Sequence, residues 1–358
     1  MAFRRITIIG AGNGGQAIAA YCASQGYSVC LYNRTIEAIA PFLLSKCIKL
    51  CGALELEGQL DVVTQDIHEA VDYSDIILVA TTATAHHEIA ELIAPYLNDN
   101  HTIVLNPGRT FGVLEFSNVL KALRPSLNCH IAEAQTLMFA CRIITPGVVN
   151  IIGVKDKVLL AGRTAEETSF AQQLLAPIFP CFIKATNLIE TGLLNVGAIF
   201  HPSIVIFNAA TIERNENFFF YREMTPQIAG CIETLDQERL NVASAFGFKL
   251  MPVNDWISYA YPATKGSTLC ERMRNNPAYH DIKAPGSIFT RQLTEDIPTG
   301  LLPMSELGRV AGVQTPLMDS FISISSALLN TDFTVSGRTL DRLGLAGLNV
   351  EQIIKQIS

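Results

Sequence analysis

Apolar residues along this chain recur with two different periods, and the change of period divides it. Arg5 to Ile9 (RITII) is a short β-branched run of the kind that forms a buried parallel strand, and it leads directly into Gly10-Ala11-Gly12-Asn13-Gly14-Gly15. Ile18, Ala19, Cys22 and Ala23 then recur at helical spacing up to Gly26, a residue type that closes helices, and Tyr27 to Tyr32 is a second strand. The alternation continues. Asp75 to Ala80 and Thr102 to Leu105 predict strands with a loop and helix between them, Lys157 to Ala161 a further strand, Ala165 to Leu175 a helix, and Cys181 to Lys184 the last strand. His86 and His87 stand side by side, but neighbouring residues on a helix do not face one site, so they are read as covering a helix start.

Beyond Asn187 only the helical period remains. Thr225-Pro226 reads as an N-cap with proline at the first helical position, followed by an apolar stripe of Ile228, Ile232, Leu235 and Val242 that Gly247 closes. Thr315-Pro316 repeats the device. The expected fold is an α/β Rossmann domain, doubly wound on a mostly parallel sheet, over residues 1–187, followed by an all-α domain over 188–358. At roughly 150 residues per domain, 358 residues suit two.

The glycine turn carries a chemical expectation because of its place between strand and helix. Gly10 suits the tight turn, Gly12 close backbone approach to a pyrophosphate, and Gly15 packing of helix on strand, with Asn13 and Gly14 completing a loop whose helix N-terminus attracts phosphate. A nicotinamide dinucleotide is the expected cofactor. NAD sites carry an acid at the end of the second strand, yet here Asn33-Arg34-Thr35 stands there, so NADP(H) is favoured over NAD(H). Glu37 is assigned to a solvated helix face. Thr81 to Thr84 and Asn106 to Thr110, with Thr81, Asn106 and Pro107 as named contacts, are expected to rim the cofactor cleft.

The stretch TGLLNVGAIFHPSIVIFNAATI, 191–212, is long and apolar enough to span a membrane, but Asn195, His201, Pro202 and Asn208 within it would each lose hydration there. Core helix and active-site floor remain as readings. Leu194, Gly197, His201, Val205 and Asn208 fall on one helical face. Downstream, RQLTEDIPTGLLP places Glu295 and Asp296 between apolar runs, before a short helix in SELGRVAGVQTP that ends at Gly312. A carboxylate there can orient a histidine and stabilise its charged form; two surface acids on a solvated turn is the other reading.

Composition narrows the partners. The chain is 49% hydrophobic and 16% charged, with net charge −7, so no basic patch invites nucleic acid. Nine cysteines without CxxC pairs suggest reduced thiols in a cytoplasm and no metal site, with Cys47 and Cys51 read as core positions on a helix. The N-terminus reaches glycines too early for a signal-peptide core, so no export is expected.

Taken together, GAGNGG at 10–15, LNPG at 105–108, HPSIVIFNAA at 201–210, LDQER at 235–239 and LTEDIPTGLLPMSELGRVAGVQTP at 293–316 resemble the opine dehydrogenases, also called the octopine/nopaline dehydrogenase family. The pattern looks closest to the bacterial N-(1-carboxyethyl)-norvaline type. The resemblance implies reductive condensation of an α-keto acid with an amino acid's amine, with His201 as the proton-transfer group and Asp296 as its partner; the two are expected to face each other across the cleft between domains. It also makes Arg291 and Arg142 candidates for the substrate carboxylates, with Gly197 and Asn208 as further substrate contacts. One departure stands out: the norvaline-type pattern has asparagine four residues before the histidine, where this chain has Gly197. A homodimer is held open as the assembly. Two other functions compete: a ketopantoate-reductase-like or glycerol-phosphate-dehydrogenase-like C=O reductase, which would need a central lysine absent between Lys184 and Lys249, and a non-catalytic NADP(H) sensor.

Overall fold

In the computed structural model, which describes residues 5–357, the chain separates into two units, Met1–Leu188 and Ile189–Ser358. The first unit runs β1 (Arg5–Ile9), α1 (Asn13–Ser24), β2 (Ser28–Tyr32), β3 (Cys47–Gly52), β4 (Leu56–Gln59), β5 (Val62–Thr64), α2 (Ile67–Asp72), β6 (Ile76–Val79), α3 (His86–Ile93), β7 (Thr102–Leu105), α4 (Gly112–Leu123), β8 (His130–Ala134), β9 (Phe139–Thr145), β10 (Val148–Val154), β11 (Val158–Gly162), α5 (Ala165–Leu175) and β12 (Phe182–Lys184). Eight strands form one sheet in the order β12-β11-β8-β7-β6-β1-β2-β5, parallel except where β11 runs against β8. The order reverses at β1, and in an open α/β sheet that reversal is where a ligand crevice opens. Central strands are buried on both faces, so Ile76–Val79 reads as an unbroken apolar run and Thr102–Leu105 as one after its buried threonine.

A second sheet, β4-β3-β10-β9, was not expected from the sequence. It overturns the helical placement of Cys47 and Cys51. In β3 Ile48 and Leu50 turn inward while Lys49 is exposed, a period of two that the i, i+4 cysteine spacing hides. This sheet packs against α1. A Cβ at Gly58 of β4 would stand 2.4 Å from the Ala20 carbonyl oxygen, so glycine lets strand and helix meet backbone to backbone.

The second unit is helical: α6 (Leu188–Leu193), α7 (Gly197–Phe207), α8 (Ala209–Glu213), α9 (Pro226–Ala245), α10 (Val253–Ala260), α11 (Leu269–Asn275), α12 (Arg291–Thr294), α13 (Leu302–Val310), α14 (Pro316–Leu329), α15 (Phe333–Ser336) and α16 (Val350–Gln356). Thr225 caps α9 by accepting from the Ile228 N–H, and Gly247 follows its end with φ +83°. Thr315 likewise stands at the N-cap of α14 with Pro316 as its first residue, but its hydroxyl donates to Ser305, and the Leu317 and Met318 N–H groups are met by the Glu238 carboxylate instead. α13 also begins at Leu302, earlier than expected, behind a π-helical turn at Ile297–Leu301.

The apolar stretch is not one helix, since it breaks at Leu194–Val196 between α6 and α7, which takes Leu194 off the face that carries His201. The LDQER segment explains the break. Arg239 Nη1 donates to the Leu193 carbonyl and Nη2 to the Met251 carbonyl; its Nε meets Asp236 Oδ1 at 2.7 Å, while Asp236 Oδ2 accepts from Val253 N–H. Both side chains are buried, at 0% and 3% exposure. One ion pair thus satisfies the end of α6 and the start of α10.

Two substitutions test this framework. Arg239→Met should cost about 3–5 kcal/mol in denaturant unfolding, because it leaves Asp236 buried and uncompensated. Gly15→Ala should cost about 3 kcal/mol or more, since its Cβ would stand 1.7 Å from the Gly10 carbonyl oxygen; retention of wild-type stability would refute this account of the turn.

Candidate active site

The helical unit brings His201 and Asp296 together, with His201 Nδ1 2.6 Å from Asp296 Oδ2. Both lie in that unit, so the pair forms inside it and not across a cleft between domains as expected. The local cause is a close approach of backbones. A Cβ at Gly300, in the π turn, would come within 2.5 Å of Ala198 Cβ in the first turn of α7. Three residues on from Ala198 is His201; four residues back from Gly300 is Asp296. The Leu301 N–H reaches back to the Asp296 carbonyl at 3.1 Å, the wider bond of a π turn, a feature that recurs at functional sites. Glu295 and Asp296 are buried, at 2% and 0% exposure, which excludes the solvated-turn reading.

A fully buried carboxylate needs a positive or hydrogen-bonding partner. With Asp296 ionised, the ring proton sits on Nδ1 and points at the acid, which leaves Nε2 as the nitrogen able to take up or give a proton. Nε2 lies 3.0 Å from the Tyr221 hydroxyl. Sequence reading missed Tyr221, which sits in the aromatic run Phe218 to Tyr221 with no periodicity to mark it. Its ring stacks on Tyr279 at 4.2 Å and meets Phe220 edge-on at 4.9 Å. Phe220 N–H bonds the Ile282 carbonyl and Ala284 N–H the Phe218 carbonyl, which pins the run to the 282–284 segment. Burial pushes the Tyr279 phenol well above its ordinary range, so it stays neutral.

The other substrate candidates separate. Arg291 opens α12, which packs against α7, and its Nη1 lies 3.5 Å from Glu295 Oε2. Gly197 starts α7 one turn before His201. Asn208 ends α7 and gives one amide N–H to the Ile204 carbonyl. Arg142 is exposed on β9 in the first unit and donates to the Cys141 carbonyl.

In the first unit the glycine turn fits a dinucleotide. Gly10 has φ +105°, Gly15 lies against it, and a Cβ on Gly12 would meet nothing within 4 Å, the open space that phosphate would need. No side chain caps the start of α1. Asn33 Oδ1 accepts from Ala11 N–H and its amide donates to Thr35, so Asn33 braces the turn and does not reach outward. Asn13 uses its side-chain oxygen on β9, accepting from Ile143 N–H. Arg34 is exposed and pairs with Glu88. Thr81 is half-buried at the rim after β6, and Asn106 at the end of β7 is 1% exposed with neither Oδ1 nor Nδ2 bonded among the described residues. A buried amide with both its donor and its acceptor unmatched suits a polar group of a bound cofactor. Pro107 follows through a cis peptide bond. Arg109 and Thr110, expected at the rim, are buried.

Among the described residues no group of three or more His, Cys, Asp or Glu could hold a metal, and the cysteines are free. Burial pushes the Cys129 and Cys181 thiols up to about 11, so neither offers a thiolate at neutral pH. The segment Leu188–Phe207 is apolar and long enough to span a membrane, but 78% of an 18-residue window within it is buried inside the protein, as in core helices.

Known proteins match this arrangement in both halves. Residues 184–329 match the NAD/NADP octopine/nopaline dehydrogenase alpha-helical domain, and residues 5–113 the NAD-dependent glycerol-3-phosphate dehydrogenase N-terminus. An opine dehydrogenase of Arthrobacter sp. (strain 1C) is 36% identical over 354 residues, covering 97% of this chain and 96% of that protein. An octopine dehydrogenase solved with NADH and L-arginine superposes with TM-score 0.79 at 20% identity, over 98% of each chain, and yersinopine dehydrogenase with NADP+ bound with TM-score 0.71 at 15% identity, over 98% of this chain and 97% of that one. A ketopantoate reductase from Ralstonia eutropha JMP134 shares the fold at TM-score 0.61 and 18% identity, over 91% of this chain and 98% of its own. Identity above a third, sustained from end to end, settles the matter: the chain belongs to the opine dehydrogenase family and is an NAD(P)-dependent oxidoreductase acting on CH–NH donors, joining an α-keto acid to the amine of an amino acid by reductive condensation.

Proposed function

We propose that His201 is the proton-transfer group of this reaction, that Asp296 holds it in the working tautomer, and that NADPH is favoured over NADH. The observation that carries the assignment is the His201–Asp296 pair, an imidazole on a fully buried carboxylate with its second nitrogen directed away from it. A bound nicotinamide cofactor supplies the hydride for the imine carbon. Gly10, Gly12, Gly14 and Gly15 would hold its pyrophosphate against the start of α1, the Asn106 amide would meet a polar group, and Thr81 would line the same rim. His201 gives a proton as the carbonyl oxygen leaves and takes one back on release, while Asp296 balances its charge. Arg291, five residues before Asp296 and 3.5 Å from Glu295 Oε2, is the cation for a substrate carboxylate, with Arg142 the second candidate.

Substrate choice is proposed from Gly197. A glycine one turn before His201 leaves room for an amine bulkier than one bound beside asparagine. Cofactor preference is supported by Arg34, which ends the second strand region where an acid would select NAD. A cytoplasmic location is supported by the nine free cysteines. Self-association is supported by exposed Phe207, Ile324 and Leu328.

Two measurements test the site. His201→Asn should lower turnover by roughly 10²–10⁴-fold while melting temperature and NADPH affinity hold; an active but unstable variant would return His201 to the core. Arg34→Ala should weaken NADPH by roughly 10- to 100-fold, the worth of a charge-assisted hydrogen bond, with little change for NADH. Tighter binding of NADH than NADPH by the unmodified protein would overturn the preference.

A further inference from the structure

His201 offers no vacant ring nitrogen to a substrate. Asp296 Oδ2 holds Nδ1 at 2.6 Å, and the Tyr221 hydroxyl stands 3.0 Å from Nε2, where a substrate's proton would have to arrive. A proton-transfer group must come within hydrogen-bond reach of its target or act through one intermediary. The hydroxyl is held in that position from several sides. The Tyr221 ring is stacked on Tyr279 with 20° between planes and set edge-on to Phe220 at 89°, and the segment is tied down through Phe220 N–H, while Tyr221 itself is 6% exposed. Packing of this kind leaves a phenol little freedom to swing aside, so the hydroxyl becomes part of the proton's path.

We propose that Tyr221 is a catalytic residue, the relay through which His201 exchanges its proton with the substrate. The inference rests on His201 being the acid/base group. In the condensing direction the amine lone pair forms the C–N bond and the carbonyl π pair moves onto oxygen. That oxygen takes the Tyr221 hydroxyl proton, the freed O–H pair on Tyr221 takes the Nε2 proton, and the N–H pair stays on the ring. Tyr221 ends as a phenol with its proton directed at Nε2, His201 ends neutral with Nδ1–H still on Asp296, and the substrate carries one new O–H. Nothing is oxidised or reduced in the step.

The relay also explains why a tyrosine stands there. A hydroxyl both donates and accepts, so it passes a proton on without keeping it, whereas phenylalanine in the same stack would pack equally well and pass nothing.

The experiment compares the unmodified protein, Tyr221→Phe and His201→Asn in single-turnover condensation, in mixtures of H2O and D2O. With the relay, the unmodified protein gives a bowl-shaped dependence on deuterium fraction, the mark of two protons moving together. Tyr221→Phe should lose about 10²-fold in rate and show at most one moving proton, with unchanged melting temperature and cofactor affinity. Wild-type rate in Tyr221→Phe, or an unchanged bowl, overturns the relay. Should that variant fold poorly, 3-fluorotyrosine at position 221 keeps ring and hydroxyl and alters only the phenol's acidity; a changed rate and isotope effect support the relay, and unchanged values overturn it. A slow His201→Asn beside a fast Tyr221→Phe sinks the relay alone. Wild-type rate in His201→Asn removes the acid/base reading on which it stands.

Discussion

The contact between Gly300 and Ala198 is the constraint on which the helical unit's chemistry depends. Two backbone segments that approach so closely admit no side chain at one of them, and only glycine meets that requirement. Once they touch, Asp296, four residues before Gly300, meets His201, three residues after Ala198. The π turn supplies the extra residue that turns the acid toward α7 instead of letting it continue around an ordinary helix. A carboxylate delivered there loses its water entirely, and it is the imidazole that makes its burial tolerable.

The same economy recurs nearby. Asp236 and Glu238 are also buried acids, and each serves helix ends that would otherwise keep unmatched backbone groups. Burial pushes the Glu238 carboxyl up even as two N–H donors pull it down, a sign of how much desolvation the cap tolerates. Such groups add little net stability, because the Coulomb gain is set against lost hydration. Their effect is positional. Arg239 holds the Leu193 carbonyl at the break before α7, and therefore determines where the helix bearing His201 begins.

What could be read from the chain follows the range over which each feature acts. Strand, glycine turn and helix at the N-terminus are local patterns, and they emerged with their boundaries nearly right, as did the capped start of α9. His201 and Asp296 carried chemistry in their residue types, but their meeting spans 95 positions and no period announces it. The second sheet escaped because its strands are half-exposed and come from separated stretches, so Cys47 and Cys51 looked helical. Tyr221 escaped for a similar reason: an aromatic run reads as core until the hydroxyl's neighbour is known. Asn33 had the right chemistry for a ligand, yet it spends both its oxygen and its amide nitrogen on the turn and Thr35, a choice that only three-dimensional proximity decides.

The second sheet alters what α1 can do. One side of this helix lies on the parallel sheet; on the other, Gly58 meets Ala20 at backbone distance, Asn13 holds β9, and Gln16 grips both the Ala11 carbonyl and the Gly147 N–H. A phosphate-binding helix clamped on two sides has almost no soft motion of its own. The cradle is therefore as ordered before a dinucleotide arrives as after, and little of the binding free energy is spent on shaping it. Whatever flexibility the enzyme needs for turnover must come from segments other than this one.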